Sequence, residues 1–195
     1  MTDRTILPRD RAATSHWLQS YYFIRAGVAV AWVVAAFTLG TGVAPVAAAL
    51  LVAYPAWDAV ANLVDAQRSG GLLANASQAF NVVVSAITAI AVAVALGQGM
   101  HAVLAVFGVW ASLAGLFQLI TGVRRWKTGG QVAMILSGAQ SVIVGAVFIK
   151  QATGAALPGI ADIAPYAAFG AFYFLVSAVW LTVKLARGRS AGQAV

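Results

Sequence analysis

Long apolar runs separated by short polar stretches dominate the chain. An α-helix needs about 20 apolar residues to cross the hydrocarbon core of a membrane. The pattern predicts six such helices, over residues 17–41, 43–65, 76–97, 101–123, 131–150 and 163–185. We therefore expect an all-α integral membrane bundle, with an N-terminal cytoplasmic segment (1–16), a six-helix transmembrane domain (17–187) and a cytoplasmic tail (188–195).

The start of the sixth helix has a local signal. Asp162 is a residue type that caps helices, and Pro165 fits a first helical turn, where a backbone N–H has no intrahelical partner. The first apolar run is longer than a signal-peptide core of about 7–15 residues, so we expect it to be a retained span.

Composition excludes the soluble alternatives. Hydrophobic residues make up 62% of the chain and charged residues 9%, whereas soluble domains average about 45–50% and about 25%. Disordered chains are also poor in apolar residues. The chain has no cysteine, which excludes disulfides, thiolate nucleophiles and thiolate metal ligands.

Basic residues fall almost entirely on one side of a six-span bundle. That side receives Arg4, Arg9, Arg11, Arg68, Arg124, Arg125, Lys127, Lys184, Arg187 and Arg189. The opposite side has Lys150, and Arg25 lies within the first span. By the positive-inside rule, this asymmetry predicts that both termini are cytoplasmic. It also accounts for the net charge of +7 without a nucleic-acid partner. The lipid bilayer is the expected partner, and the Ala-, Val- and Arg-rich composition indicates a bacterial plasma membrane.

An internal repeat is suggested when the chain is shifted by 60 residues. The third span then aligns with the fifth, and Ser77 falls on Ser137. A shift of about 62 residues relates the fourth span to the sixth, with Phe107 falling on Phe169. The interpretation is three parallel-repeated helical hairpins. Coincidence in an Ala- and Val-rich chain is the alternative.

Small or polar residues recur every four positions on the third and fifth spans, so they share one face of each helix: Ser77, Asn81, Ser85, Ser137, Ser141 and Gly145. Small residues at this spacing allow membrane helices to approach closely. We interpret the stripes as helix-packing surfaces, with a polar conduit as the alternative.

Arg25 and Asp58 are the charged residues predicted deepest in the membrane. Arg25 follows Trp17, at the cytoplasmic end of the first span, and Asp58 precedes Asp65, at the cytoplasmic end of the second. At 1.5 Å per residue, both lie about 10–12 Å from that end. Because pairing lowers the cost of burying either charge, we predict an Arg25–Asp58 ion pair.

Asp58, Asn62 and Asp65 are spaced to form one polar stripe on the second helix. Pro55 precedes them and removes one backbone hydrogen bond, so a kink is expected there. Broken helices beside buried acids are typical of transporter binding sites. Two interpretations stay open, a structural ion pair bridged by an asparagine and a proton or ion site.

Other chemistry is sparse. The two histidines, His16 and His101, are predicted on opposite sides of the membrane and cannot form one metal site. The chain has no Walker loop, His-Glu-x-x-His motif or triad spacing. We therefore expect no catalytic residue, no metal and no cofactor, and a protein that is not an enzyme.

Three stretches resemble a known family. The sequence Tyr-Pro-Ala-Trp-Asp-Ala-Val-Ala-Asn-Leu-Val-Asp-Ala (54–66), together with Phe-Gly-Val-Trp (107–110) and Gly-Leu-Phe-Gln-Leu (115–119), is similar to HdeD-like bacterial membrane proteins. The resemblance covers residues 25–184. It implies a small six-span inner-membrane protein built from helix-pair repeats. The family's namesake is linked to acid resistance, and no catalytic residue can be carried over.

Two functions follow as expectations. The first is a non-enzymatic membrane protein that supports acid or envelope stress tolerance. The alternative is a small channel or transporter for protons, ions or a small solute, centred on Arg25, Asp58 and Asn62. Small-residue faces permit self-association but serve equally inside one chain, so homo-oligomerisation stays open.

Overall fold

Six long α-helices form the protein in the computed structural model, which describes residues 8–124, 126–128 and 131–192. They are α1 (Pro8–Ala35), α2 (Ala44–Arg68), α3 (Ala76–Ala95), α4 (Met100–Arg124), α5 (Val132–Gln151) and α6 (Ile160–Gly192). Each contains a segment long and apolar enough to cross a membrane. No strand occurs in these described residues, and the all-α, six-helix prediction is confirmed.

The terminal helices extend beyond their predicted spans. The apolar part of α1 covers His16–Gly40, yet the helix already begins at Pro8. The apolar part of α6 covers Ile160–Arg187, and its helix continues to Gly192. Helical hydrogen bonding does not require an apolar sequence, so hydropathy locates the spans and leaves the helix ends undetermined.

The start of α6 differs from the sequence expectation. The helix begins at Ile160, and Asp162 lies inside its first turn, where Oδ2 accepts the backbone N–H of Gly159 at 2.7 Å. An acid that reaches back in this way is one half of a capping box. Pro165 consequently lies in the second turn, where it offers no N–H to the Ala161 carbonyl. The prediction that this proline removes no helical bond was wrong.

The helix bounds repeat with a period of 56 residues. α4 begins and ends 56 residues after α2, and α5 begins and ends 56 residues after α3. This period corrects the predicted shift of 60. Ser85 therefore corresponds to Ser141, and Ser77 corresponds to Ala133 and not to Ser137. A near-miss of four residues arose because one helical turn returns a residue to nearly the same face.

The same period extends to α6. Six buried positions of α4 recur 56 residues later as buried positions of α6: Leu104, Phe107, Gly108, Ala111, Gly115 and Gly122 become Ile160, Ile163, Ala164, Ala167, Ala171 and Ala178. α6 is thus the first helix of a third repeat, and no further helix follows it in the described chain.

α1 packs against α6 as the second helix of that third repeat. The ring of Tyr22 stacks on Phe174 with centroids 6.3 Å apart. These positions correspond to Met134 and Gln118, where the Gln118 amide donates to the Met134 carbonyl at 3.2 Å. The α6–α1 pair therefore has the register of the α4–α5 pair, although its two helices stand at opposite ends of the chain.

The chain divides into two compact units. One comprises residues 1–31 and 168–195, and the other comprises residues 32–167. The core of the second unit uses equivalent residues of α2, α4 and the start of α6, namely Leu51, Phe107 and Ile163, each fully buried.

Aromatic residues at a second set of equivalent positions adjoin this core. The Trp110 ring meets Tyr54 at 5.8 Å and Tyr166 at 6.1 Å, both edge to face. We call Tyr54, Trp110 and Tyr166 the aromatic layer. It lies one helical turn from the three fully buried core residues on the same helix faces.

Candidate intramembrane polar site

A hydrogen-bond chain connects three helices through Asp58. Asp58 Oδ2 on α2 accepts the Ser85 hydroxyl of α3 at 2.7 Å and the Asn62 amide at 3.0 Å. The Ser85 hydroxyl oxygen accepts Trp110 Nε1–H from α4 at 3.0 Å. Ser85 is fully buried and Trp110 is 5% exposed. An acid, a hydroxyl and an indole thus form one continuous network inside the bundle.

The chemistry of the indole fixes the direction of this network. An indole N–H can only donate, so Ser85 accepts from Trp110 and directs its own hydrogen to Asp58. The Asn62 amide nitrogen also donates to Asp58. Oδ2 therefore receives two donors, and an ionised carboxylate is the acceptor that fits them best.

Asp58 stands at the edge of the dry interior. It is half-buried, whereas Pro55, one turn further along α2, is fully buried. α2 continues through this proline as one helix. Beyond it, the Tyr54 ring lies 4.8 Å from that of Trp32, whose Nε1–H donates to the Leu50 carbonyl at 2.7 Å. The indole and phenol rings close the network on that side.

The repeat shows that the fold does not require an acid at this position. The residues that correspond to Asp58 are Ala114 on α4 and Gly170 on α6. The aromatic layer, by contrast, is present in all three helices. Asp58 is therefore an addition to the repeat, and the cost of placing it in the membrane needs a reason other than folding.

The other predicted polar residues of α2 line its contact with α3. Asp65 Oδ2 accepts the Gln78 amide of α3 at 3.0 Å. Asp65 Oδ1 is buried and has no hydrogen-bond partner among the described residues. The Asn62 amide also donates to the Asp58 backbone carbonyl at 2.8 Å. Asp58, Asn62 and Asp65 thus lie along one seam between α2 and α3.

The predicted stripe on α3 has mixed partners. Asn81 donates to the backbone carbonyl of Ser77 at 3.1 Å, within its own helix. Ser85 instead bonds across helices to Asp58. The stripe therefore supplies a hydrogen-bonding residue at its deep end, a role that spacing alone did not distinguish from packing.

Arg25 has an aromatic environment in the other unit. Its Nη1 donates to the Tyr21 hydroxyl at 3.1 Å, and its guanidinium carbon lies 4.3 Å from the ring centroid of Phe174 on α6. Cation–π contact of this kind lowers the cost of a buried guanidinium. Arg25 and Asp58 belong to different units, and their ion pair stays a prediction.

Glycines seal the α4–α5 contact, which sequence reasoning missed apart from Gly145. Gly108, Gly115 and Gly122 on α4 are seven residues apart, as are Gly138 and Gly145 on α5. A Cβ at Gly115 would lie 2.7 Å from the Gly138 carbonyl oxygen, and one at Gly138 would lie 2.9 Å from the Gly115 carbonyl oxygen. We call these five residues the glycine seam. Their seven-residue spacing is the signal that would have revealed it.

The predicted stripe on α5 adjoins this seam in part. A Cβ at Gly115 would lie 2.7 Å from the Ser141 Cβ, so Ser141 packs directly against α4. Ser137 is half-buried one turn nearer the start of α5.

The histidines lie away from the Asp58 network. His101, at the start of α4, has its Nε2 3.2 Å from the carbonyl oxygen of Gly154 in the α5–α6 connection. His16 is exposed. Among the described residues, no group of three or more side chains of the metal-ligating types comes together.

Comparison with known proteins gives one match. A family model described as a short repeat of unknown function (DUF308), from a family that includes HdeD-like membrane proteins, matches residues 82–150. This segment is about a third of the chain and covers most of α3, all of α4 and nearly all of α5. No curated protein and no solved structure matches the chain. The chain is therefore similar to a repeat family in the region that contains the glycine seam.

Proposed function

We propose that this chain is a non-enzymatic, multi-pass protein of a bacterial plasma membrane that supports tolerance of acid or envelope stress, with Asp58 as its protonatable group. The basic residues of the α2–α3 and α4–α5 connections favour a cytoplasmic location for these connections and for both termini. The similarity to HdeD-like proteins supports the link to acid. No residue is assigned a catalytic role.

The observation that carries the proposal is the position of Asp58. Its carboxylate receives donors from Ser85 and Asn62 at a place where the equivalent helices have alanine and glycine. Protonation would remove the charge that these donors match and would weaken the link from α2 to α3 and α4. Acid would thereby change the packing of three helices through one residue.

A second function is favoured by the polar seam. Asn62 and Asp65 continue from Asp58 towards the α2–α3 turn, and polar side chains inside a membrane commonly mark ion or proton pathways. Passage of protons, cations or a small solute along this seam is the alternative to a purely structural response to acid.

The experiment compares the unaltered chain with Asp58→Asn in a strain that lacks the gene. Asparagine keeps the shape and cannot ionise, so survival at low pH should fall to the level of the deletion strain while the amount of protein in the membrane stays the same. Asp162→Asn is the matched control, because Asp162 is exposed and its carbonyl oxygen can still cap α6. Equal survival of the parent and the deletion strain would refute the stress role.

Flux measurements separate the two functions. Purified protein in vesicles carrying a pH-sensitive dye should leave an imposed proton gradient unchanged if the protein acts without transport. A flux that is abolished by Asp58→Asn and kept by Asp162→Asn would establish the transport alternative. A flux indistinguishable from that of empty vesicles, for protons and for monovalent cations, would exclude ion passage.

A further inference from the structure

We propose that water and protons reach Asp58 from one membrane face only, along the contact between α2 and α3, and that Asp65 and Gln78 form the entrance. We call this contact the polar seam, and it comprises Asp58, Asn62 and Asp65 on α2 with Gln78 and Asn81 on α3. The inference rests on the proposed role of Asp58 as a protonatable group. It adds the side of access and the residues along the route.

Burial along α3 changes at the level of Asp58. Ser77 and Asn81, towards the α2–α3 turn, are half-buried. Ser85, which bonds to Asp58, is 0% exposed, and the next residues on this face, Thr88 and Val92, are 6% and 0% exposed. Solvent contact on this helix face is therefore lost at Ser85 and does not return.

Burial along α2 changes at the same level. Asp65, Asn62 and Asp58 are all half-buried. Pro55 and Leu51, one and two turns beyond Asp58, are fully buried. Both helices thus agree that the polar seam opens towards the α2–α3 turn and is closed beyond Asp58.

The chemistry of the seam suits water. Asp65 Oδ1 is a buried acceptor without a hydrogen-bond partner in the part of the chain that the structure describes. Leaving such an atom without a partner is costly, and a water molecule at the entrance would satisfy it. Asn62 lies between Asp65 and Asp58 on the same helix face. Its amide already donates to Asp58, so the polar groups are continuous from the entrance to the acid.

The repeat explains why this contact differs from the α4–α5 contact. Gly115 and Gly138, whose backbones touch across the glycine seam, correspond to Ala59 on α2 and Val82 on α3. The side chains of Ala59 and Val82 prevent an approach of that closeness, because an added Cβ at either glycine would collide with backbone atoms. α2 and α3 must therefore leave more room between their backbones, and polar side chains occupy it.

The opposite direction is closed by rings and large apolar side chains. Trp110 donates to Ser85 and packs edge to face on Tyr54 and Tyr166. Leu51 and Phe107 lie one turn beyond and are fully buried. A route from Asp58 to the other face would have to pass between these side chains, and the described packing leaves them in contact.

The charged groups around Asp58 are few. On its own helix, Asp65 lies two turns away, and Arg68 lies beyond it at the helix end. On α3 the facing residues are Ser85 and Asn81, and on α4 the facing residue is Trp110. None of these three can titrate in the physiological range. Arg25 is the predicted counter-charge from α1.

Cysteine labelling tests the side of access. The natural chain has no cysteine, so each single-cysteine variant reports one position without background. Asn62→Cys and Asn81→Cys should react with a membrane-impermeant thiol reagent applied to the face of the α2–α3 turn, and this labelling should be lost when the reagent is applied to the other face. Thr88→Cys should react from neither face.

Two exposed positions calibrate the faces. Ser69→Cys lies in the α2–α3 turn, and Thr153→Cys lies in the α5–α6 connection at the opposite ends of the helices. Reaction of Asn62→Cys or Asn81→Cys from the face that labels Thr153→Cys would overturn the proposal. So would labelling of Thr88→Cys from that face, or protection of both asparagine variants from both faces.

This test is independent of survival and flux. If Asp58→Asn survives acid as well as the unaltered chain, the stress role fails while one-sided labelling still defines the seam. If labelling contradicts the seam while Asp58→Asn loses survival, Asp58 keeps its role and the route is wrong. Two asparagine positions on different helices are used, so failure of one variant to fold leaves the other to decide.

Discussion

Substitution of Gly145 by alanine tests whether the α4–α5 contact depends on the absence of a side chain. The added Cβ would meet the Ser112 hydroxyl oxygen, the Gly108 carbonyl oxygen at 2.6 Å and the Ser112 backbone nitrogen at 2.7 Å. Two of these three atoms belong to the α4 backbone and cannot rotate away. The helices must therefore separate at this point.

The size of the effect follows from two opposing contributions. Overpacking a filled contact costs about 1–3 kcal/mol, and alanine favours a helix over glycine by about 1 kcal/mol. Because both backbone contacts would be shorter than real Cβ atoms tolerate, we expect the steric cost to exceed the helical gain. The net loss of about 1–2 kcal/mol corresponds to a fall in Tm of about 2–8 °C in a chain of this size.

The assay is thermal unfolding of the purified protein in detergent, followed by circular dichroism. Gly27→Ala is the matched control, since a Cβ at Gly27 would meet no heavy atom of the described structure within 4 Å. That variant gains helix propensity without a clash, and its Tm should stay the same or rise. Adding Ser112→Ala to the Gly145 variant should not restore stability, because the backbone contacts remain.

One result would refute the reasoning. If Gly145→Ala unfolds at the same temperature as the unaltered chain or above it, then α4 and α5 are not in backbone contact at this level. The glycine seam would then have no role in holding the two helices together.

Three further predictions follow from other contacts. Ser85→Ala leaves the Trp110 indole without its acceptor and removes a donor from Asp58, so it should destabilise the protein by about 1–3 kcal/mol in denaturant titrations; an equal loss for Ser141→Ala, its counterpart in the repeat, would contradict this. Asp162→Ala removes the cap of α6 and should cost about 1 kcal/mol, seen as a lower Tm, and an unchanged Tm would show that the cap contributes nothing. A circular permutant that begins with α2 and ends with α6 joined by a flexible linker to α1 should still fold, because α6 and α1 have the register of a covalent hairpin; failure to accumulate in the membrane, alongside a normally expressed parent, would count against the third repeat.

Sequence patterns located the helices well because hydrophobic length is a one-dimensional property. The six spans and the all-helical class follow from runs of about 20 apolar residues, since no other open structure satisfies its backbone inside a bilayer. The ends of α1 and α6 escaped this reasoning. At Pro8 and Gly192 the helix lies outside the apolar segment, where hydropathy has no bearing on it.

The repeat was detected but placed in the wrong register. Ala and Val recur so often that a shift of 60 gave as many identities as a search by eye needed. The true period of 56 is defined by burial and helix bounds, because Leu51, Phe107 and Ile163 differ in sequence and share only their fully buried position. Identity of residue type is a poor guide where many apolar side chains fill a core equally well.

The sequence by itself determined which residues carry charge into the membrane, and so it singled out Arg25 and Asp58. What surrounds them was decided by tertiary structure, since hydrogen bonds between Asp58, Ser85 and Trp110 join residues from three helices. Spacing along one helix specifies which side chains share a face, but it leaves open which helix that face meets. The same limit applies to α1 and α6, whose pairing depends on the arrangement of the whole bundle and not on their distance along the chain.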